Sequence, residues 1–147
     1  MIRISTKGRY GTRFMLELAM NYSRKPMLLR DIATREEISE GYLQHIVDAL
    51  KGSGLILSNR IGHGGYTLSR RPEEITLKDI LSSLEGTISL TECVHNPDVC
   101  ARSPHCTTHD VWSELCEKFS SSLAEITLKD MTERRIRKEN SNLLYEI

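Results

Sequence analysis

The residues of this sequence best suited to chemistry lie between positions 93 and 109, where three of its four cysteines occur. Six residues separate Cys93 from Cys100, five separate Cys100 from Cys106, and Cys106 opens a Cys-x-x-His motif that ends at His109. Proline, asparagine and serine interrupt this cysteine segment, which predicts a loop rather than a helix or strand. Thiolates and imidazoles are suitable ligands for zinc, copper(I) or an iron–sulfur cluster. The segment is therefore a candidate metal site.

The residues alone leave three interpretations of the cysteine segment open. In the first, the thiols are unligated, although three cysteines in a proline-containing loop are not an obvious part of a core. In the second, they bind zinc, since three thiolates and one imidazole suit a tetrahedral site, but zinc sites usually contain a closer pair of cysteines. In the third, they hold an iron–sulfur cluster. His95 and His105 are further candidates for a fourth ligand.

Composition predicts a soluble globular protein, with 39% hydrophobic and 27% charged residues among 147. No apolar run approaches the length of a membrane span, and no signal segment opens the chain. We therefore expect a cytoplasmic location without membrane attachment, where thiols stay reduced and cysteine clusters are more often metal or redox sites than disulfides. We find no paired carboxylates, nucleophile–base pair or phosphate loop in the sequence, so we do not expect an enzyme.

Charge is distributed unevenly along the chain although its formal net charge is zero. Residues 1–71 carry 12 Lys and Arg against 6 Asp and Glu, and residues 72–147 carry 8 against 14. The N-terminal half is therefore suited to meet a polyanion such as DNA.

Hydrophobic periodicity predicts three helices in the N-terminal half, over residues 5–23, residues 29–35 and from the N-cap Ser39 to Gly52. The third helix buries positions at i, i+3, i+4 and i+7 spacing and turns its polar residues outward. A short helix followed by such a helix is a helix-turn-helix candidate. At the start of the first helix, Lys7 and Arg9 are placed to neutralise phosphates.

A β-hairpin follows directly, because two β-prone runs flank the glycine-rich turn Ile61-Gly62-His63-Gly64-Gly65. A hairpin after a helix-turn-helix is a wing. Its glycines keep the tip slim, and Arg60 is placed to enter a minor groove, whose negative potential attracts guanidinium groups.

These features resemble the IscR-like winged-helix transcription regulators of bacteria. The resemblance covers the chain to about residue 131. Its motifs are Lys7-Gly8-Arg9-Tyr10, Ile38-Ser39 with Tyr42-Leu43, Gly52-Ser53-Gly54-Leu55, Arg60, Gly62, Gly64-Gly65-Tyr66 and residues 71–76. It implies that Gln44 and His45 read the major groove and that Arg60 reaches the minor groove. The position of Gln44 is a glutamate in some members, and glutamine suits adenine.

The resemblance also implies an iron–sulfur cluster ligated by Cys93, Cys100, Cys106 and His109. The gap between the first two of these cysteines often has five residues in the family, and here it has six. Helix dipoles disfavour imidazolium at an N-terminus, so His109 in the first turn of the next helix should stay neutral and able to ligate. Some relatives use an N-terminal acidic ligand that this chain lacks, which favours a [2Fe–2S] cluster with local ligands.

The C-terminal half is predicted to contain a dimer interface. Thr76 begins a capped helix that ends at Gly86, and the same cap recurs at residues 126–131. A long helix from Thr107 or Thr108 carries an apolar stripe suited to packing against a second copy. Cys116 beside this stripe is predicted to be a small buried hydrophobe rather than a ligand. The stripe consists of Trp112, Leu115, Phe119, Leu123 and Ile126.

The expected architecture is mainly α with a small β-hairpin wing. It comprises a winged helix-turn-helix domain (residues 1–86), a cluster-binding loop (87–107), a dimerisation helix with a following short helix (108–133) and a frayed charged tail (134–147). We expect a homodimeric regulator that binds a palindromic double-stranded DNA operator and senses its cluster. The alternatives are a cluster-free regulator controlled by a partner or by thiol oxidation, and an iron–sulfur scaffold or electron carrier. The candidate DNA-contacting residues are Lys7, Arg9, Ser39, Gly41, Tyr42, Gln44, His45, Arg60, His63 and Gly64.

Overall fold

The computed structural model describes residues 2–146. In these residues the chain forms seven α-helices, three short 3-10 turns and one two-stranded antiparallel sheet. None of the helices in this range is long and apolar enough to cross a membrane. The elements are α1 (Thr6–Met20), α2 (Leu29–Glu36), α3 (Glu40–Gly52), β1 (Ile56–Asn59), β2 (Gly65–Leu68), α4 (Leu77–Glu85), α5 (Glu92–His95), α6 (Thr107–Glu125) and α7 (Leu128–Tyr145), with 3-10 turns at Pro72–Glu74, Pro97–Val99 and Ser103–His105.

Local capping starts helix α3 where the sequence predicts. The Ser39 hydroxyl accepts a hydrogen bond from the Tyr42 N–H at 3.2 Å, which satisfies one of the free donors of the first turn. The preceding helix α2 ends at Glu36 and is capped by Glu37, which adopts the left-handed conformation with φ 55°. The predicted buried face of α3 is confirmed, because Leu43, Ile46, Val47 and Leu50 are all 0% exposed.

The wing pairs Ile56 with Leu68 at its base, and it is joined to the helical core by an isolated bridge between Met27 and Tyr66. Gly65 lies at the start of β2 with φ 115°. A Cβ at this position would lie 2.7 Å from the Met27 carbonyl oxygen, so both the backbone angle and the close approach require glycine. The predicted hairpin is confirmed.

Two glycines let α1 and α4 pack closely together. A Cβ at Gly11 would lie 2.1 Å from a methyl carbon of Leu84, and one at Gly8 would lie 2.1 Å from an oxygen of Glu85. The same Glu85 carboxylate accepts hydrogen bonds from the Ser5 N–H (2.8 Å) and the Ser5 hydroxyl (2.6 Å). The capped helix α4 is therefore fixed to the start of α1.

The sequence Ile-Thr-Leu-Lys-Asp occurs twice, from Ile75 and from Ile126, and the two copies pair with each other. The Leu77 N–H donates to the Ile126 carbonyl at 2.8 Å, and the Leu128 N–H donates to the Ile75 carbonyl at 2.9 Å. We call this antiparallel pairing the clasp. Both copies begin a helix with a capping box, at Thr76 and Thr127.

The charged C-terminal stretch differs from the sequence expectation of a short helix and a frayed tail from residue 134. Helix α7 continues to Tyr145. Its Arg135 side chain donates a hydrogen bond to Glu17 of α1, whose side chain is 1% exposed. A buried ion pair with α1, together with Leu128 at 0% exposure, therefore holds this helix on the winged domain.

Candidate cluster site and nucleic-acid interface

The predicted recognition residues of α3 face outward. Gly41, Gln44 and His45 are exposed, and a Cβ at Gly41 would meet no atom within 4 Å. The Gln44 amide donates to the Asp48 carboxylate at 2.9 Å, one turn further along the same face. A slim, polar helix face of this kind can enter a major groove and offer an amide to base edges.

Aromatic and cationic side chains connect the start of α3 to α1. The Tyr10 and Tyr42 rings meet edge to face with centroids 5.7 Å apart, and the Arg9 guanidinium lies 5.9 Å from the Tyr10 ring centroid. Arg9 is exposed and Lys7 is half-buried.

A second connection involves Arg13, whose Nε donates to the Glu36 carboxylate at 2.6 Å and whose Nη2 donates to the Glu36 carbonyl. The carboxyl groups of Glu36 and Glu17 shift each other's pKa. Burial raises the pKa of Glu36, and hydrogen bonding to Glu17 raises it further. Burial also raises the pKa of Glu17, but hydrogen bonds with Glu36 and Arg135 outweigh burial and lower it overall. Charged groups of three helices, α1, α2 and α7, therefore meet here.

The wing tip presents its candidate residues to solvent. Arg60 and His63 are exposed, and the Asn59 side-chain oxygen accepts from the Ile61 N–H at 2.9 Å to shape the turn. Gly62 and Gly64 adopt positive φ angles of 74° and 73°. The tip is therefore narrow beside an unobstructed guanidinium.

The cysteine segment contains more local structure than a plain loop. The sequence predicted neither helix nor strand here, but α5 forms one turn that includes Cys93, and two 3-10 turns precede Cys100 and Cys106. Each 3-10 turn contains a proline at its beginning, where the missing N–H costs nothing. Cys106 is the N-cap residue of α6, so His109 lies in the first turn of that helix as expected.

His109 is positioned by the backbone of the first cysteine. Its Nε2 lies 3.2 Å from the Cys93 carbonyl oxygen, which can only accept, so Nε2 carries the proton in this contact. In the neutral ring the lone pair is then on Nδ1, which is buried and has no hydrogen-bond partner in residues 2–146. The nearest Asp110 oxygen is 3.6 Å away. A partially buried imidazole with a free lone pair is a suitable metal ligand.

The thiols are free and half-buried. The Cys106 sulfur lies 3.2 Å from the Thr108 hydroxyl, and hydrogen bonds from that hydroxyl and from the His109 N–H lower the pKa of the Cys106 thiol. The Cys93 sulfur lies 3.2 Å from the Thr91 hydroxyl. Local hydroxyls and backbone amides thus favour the thiolate at Cys106, the form that binds metals.

The structure brings some of the four predicted ligands together and leaves others apart. Cys100 and His109 line the same cavity of about 320 Å³, and His109 contacts the Cys93 backbone. Within residues 2–146, however, no three His, Cys, Asp or Glu side chains are grouped closely enough to hold a metal ion. The donor set fits an iron–sulfur cluster, but side-chain rearrangement around His109 is needed to bind one.

Cys116 lies outside this group. It is half-buried on α6, and its sulfur accepts a hydrogen bond from the Leu90 N–H at 3.1 Å. This contact fixes the segment before α5 to the long helix. Cys116 is therefore less buried than the predicted buried hydrophobe, and that it is not a ligand stays a prediction.

Comparison with known proteins identifies the family. The family model described as Rrf2, iron-dependent transcriptional regulator, matches residues 4–134. The chain belongs to the Rrf2 family. It is 35% identical over 130 residues to protein rrf2 of Nitratidesulfovibrio vulgaris, which covers 88% of this chain and 87% of the relative. This confirms the predicted IscR-like resemblance and the function of a transcriptional regulator.

Two solved Rrf2-family structures share the fold. CymR, the global cysteine regulator of B. subtilis, superposes with a TM-score of 0.76 at 35% identity, covering 91% of this chain and 98% of CymR. T. potens IscR superposes with a TM-score of 0.75 at 33% identity, covering 91% of this chain and 88% of IscR. The mainly α, winged-helix fold predicted from the sequence is therefore confirmed.

Proposed function

We propose that this Rrf2-family regulator is a homodimer that binds a palindromic operator and changes its DNA affinity when an iron–sulfur cluster, of the [2Fe–2S] type, occupies the cysteine segment. The ligands are Cys93, Cys100, Cys106 and His109. The observation that carries the proposal is the buried, unpartnered Nδ1 of His109, a residue of the same segment as three free thiols.

The spacing of the cysteines favours a cluster over zinc. Gaps of six and five residues between the three cysteines are longer than in most zinc sites, and they suit a cluster larger than a single ion. When bound, the cluster supplies a redox-sensitive centre. The protein residues hold it, since the Cys93 carbonyl orients the His109 ring and Thr108 stabilises the Cys106 thiolate.

The exposed end of α6 supports the homodimer. Val111, Trp112 and Leu115 remain 39–45% exposed, whereas Leu123 further along the predicted stripe is 5% exposed and packs within the chain. An apolar helix face of this kind suits an isologous contact with the same face of a second copy. Such a dimer presents two recognition helices to one side of DNA, with half-sites about 34 Å apart.

Anaerobic purification tests the cluster. We expect a coloured protein with about two irons and two sulfides per chain. The variant His109→Ala should change the visible spectrum, whereas the matched variant His95→Ala should leave it unchanged. A colourless preparation with stoichiometric zinc would contradict the cluster proposal.

A second experiment tests whether the cluster controls DNA binding. Holo protein and a Cys93→Ala, Cys100→Ala, Cys106→Ala variant are titrated with a panel of selected palindromes. We expect affinities that differ by about 1–3 kcal/mol on at least one operator, the usual size of allosteric coupling. Equal affinities on every site, with the dimer intact, would show that the cluster does not control binding.

The likeness to CymR favours a second candidate function, control by thiol oxidation without a cluster. A solved structure of Staphylococcus aureus CymR is described as an oxidised form. In this chain hydrogen bonds from the Thr108 hydroxyl and from the backbone lower the pKa of Cys106, the half-buried N-cap residue of α6, which favours its reactive thiolate form. Peroxide treatment of the colourless protein, followed by DNA titration and mass spectrometry of Cys106, tests this candidate.

A further inference from the structure

Helix α7 carries a group of exposed cations that the recognition helix and wing do not account for. Arg134, Arg137 and Lys138 follow i, i+3, i+4 spacing and line one shallow groove of about 320 Å³ with Ser141 and Asn142. We propose that this C-terminal basic patch binds the phosphates of the operator DNA that flanks the palindrome. The inference rests on the proposed DNA-binding function and extends its footprint.

The cations of the patch form no close ion pair in the part of the chain that the structure describes, although Arg134 lies near enough to Asp130, one turn earlier on α7, to contribute to the lowered pKa of that carboxyl. Across residues 2–146, no carboxylate oxygen lies within 4.0 Å of the charged nitrogens of Arg134, Arg137 or Lys138. The neighbouring Arg135, by contrast, is paired with Glu17 and with Glu139. Side chains of α7 that face the core are therefore compensated, whereas those of the patch remain available to an anion.

The patch belongs to the same rigid unit as the DNA-reading helices. Arg135 holds α7 on Glu17 of α1, and the same carboxylate lies 3.5 Å from Arg35 at the end of α2. Arg13 of α1 in turn pairs with Glu36, the last residue of α2 before the turn that leads into α3. Contacts of basic side chains thus run from α7 across α1 and α2 toward the recognition helix.

Charge complementarity selects DNA as the occupant. From Arg134 to Lys138 the helix axis rises about 6 Å, over which one DNA strand presents about two phosphates. Helix α6, which leads into α7, bears Asp110, Glu114, Glu117 and Glu125 against Lys118. DNA is therefore repelled from α6 and attracted to α7. An acidic surface of a second copy is the competing occupant, and the test separates the two.

The experiment compares wild-type protein with an Arg134→Gln, Arg137→Gln, Lys138→Gln variant on two duplexes. The short duplex contains only the selected palindrome, and the long duplex extends it by about one helical turn at each end. Affinity is measured by fluorescence anisotropy over a range of salt concentrations. Lys129→Gln, an exposed cation on another face of the same helix, is the matched control.

We expect the triple variant to reduce the dependence of log affinity on log salt by about 2 per protomer on the long duplex, since the patch spans about two phosphates and each phosphate contact contributes about 0.9 to the slope. At about 0.1 M salt its affinity for the long duplex should fall by at least tenfold, while the short duplex and the Lys129→Gln control are unaffected.

Three outcomes would overturn the patch proposal: equal slopes for variant and wild type on the long duplex, equal losses on both duplexes, or dissociation of the dimer in sedimentation, which would assign the patch to the second copy. A wild-type protein that prefers no palindrome over random DNA would instead refute the proposed function. In that case the salt dependence of affinity is compared between wild type and triple variant on short and long random duplexes, which still decides whether the patch binds phosphates.

Discussion

The substitution Arg135→Ala should show how strongly helix α7 is held on the winged domain. Glu17 is 1% exposed and has two cationic partners, Arg135 and the more distant Arg35 at 3.5 Å. Removing one partner of a buried ion pair costs about 3–5 kcal/mol because a buried charge is left uncompensated. Arg35 retains part of the compensation, and we therefore expect a loss of about 2–3 kcal/mol in the free energy of unfolding.

Removing Glu17 instead of Arg135 should cost less stability, because no buried charge is then left without a partner. Glu17→Gln keeps the side-chain volume and removes the buried charge, while the Arg135 and Arg35 side chains, 32% and 63% exposed, can hydrate. This substitution should cost only about 1 kcal/mol. In the double variant the two losses should not add, because neither charge remains in the protein interior.

Urea unfolding at one fixed protein concentration measures these differences, with midpoints compared at constant slope. Arg134→Ala, an exposed neighbour on the same helix, is the control and should leave the midpoint unchanged. If Glu17→Gln were as damaging as Arg135→Ala, the uncompensated buried charge would not be the cause, and the reasoning would fail.

Three further predictions concern the wing and the pH dependence of stability. Gly65→Ala should destabilise the protein by about 2–3 kcal/mol in urea unfolding, because φ is 115° and the Met27 carbonyl is close, whereas Gly41→Ala should be neutral or stabilising; equal midpoints would contradict this. Arg60→Ala should weaken operator binding by about 1–3 kcal/mol in anisotropy titrations, and unchanged affinity would show that the wing does not read DNA. The pKa of Glu17 is lowered from its ordinary value of 4.5, so its stabilisation is present above that pH and is lost as the pH falls. Between about pH 5 and 3 the Glu17→Gln variant should therefore lose less free energy of unfolding than the wild type. Parallel curves of unfolding free energy against pH would contradict this role of Glu17.

The sequence predicts best those features whose causes are local. Ser39 begins α3 because its hydroxyl caps an N–H three residues away, and the wing forms where glycines permit positive φ. Both causes act within a few positions and can be read from residue types alone.

Features that depend on distant partners are not predictable in this way. The stretch around Arg135 has the charge density of a solvated tail, but in the structure it is helical and Arg135 donates to Glu17, 118 residues earlier in the chain. Glu17 itself appears in the sequence as one more charge on α1, although it is buried. Similarly, the identity of the candidate ligands follows from residue type, but irregular backbone carries no periodicity from which the distances between their sulfur atoms follow.

The clasp has a consequence for how this protein can evolve. It joins the two ends of a chain segment of roughly fifty residues, from Thr76 to Thr127, at a single antiparallel bridge. The entropy of closing a span of this length changes by only about 0.6 kcal/mol when its length doubles, so one added residue has a negligible cost. Closure of the clasp therefore does not set the spacing between Cys93 and Cys100, and the winged domain and α7 can keep their register on either side of the bridge when one residue is added between them.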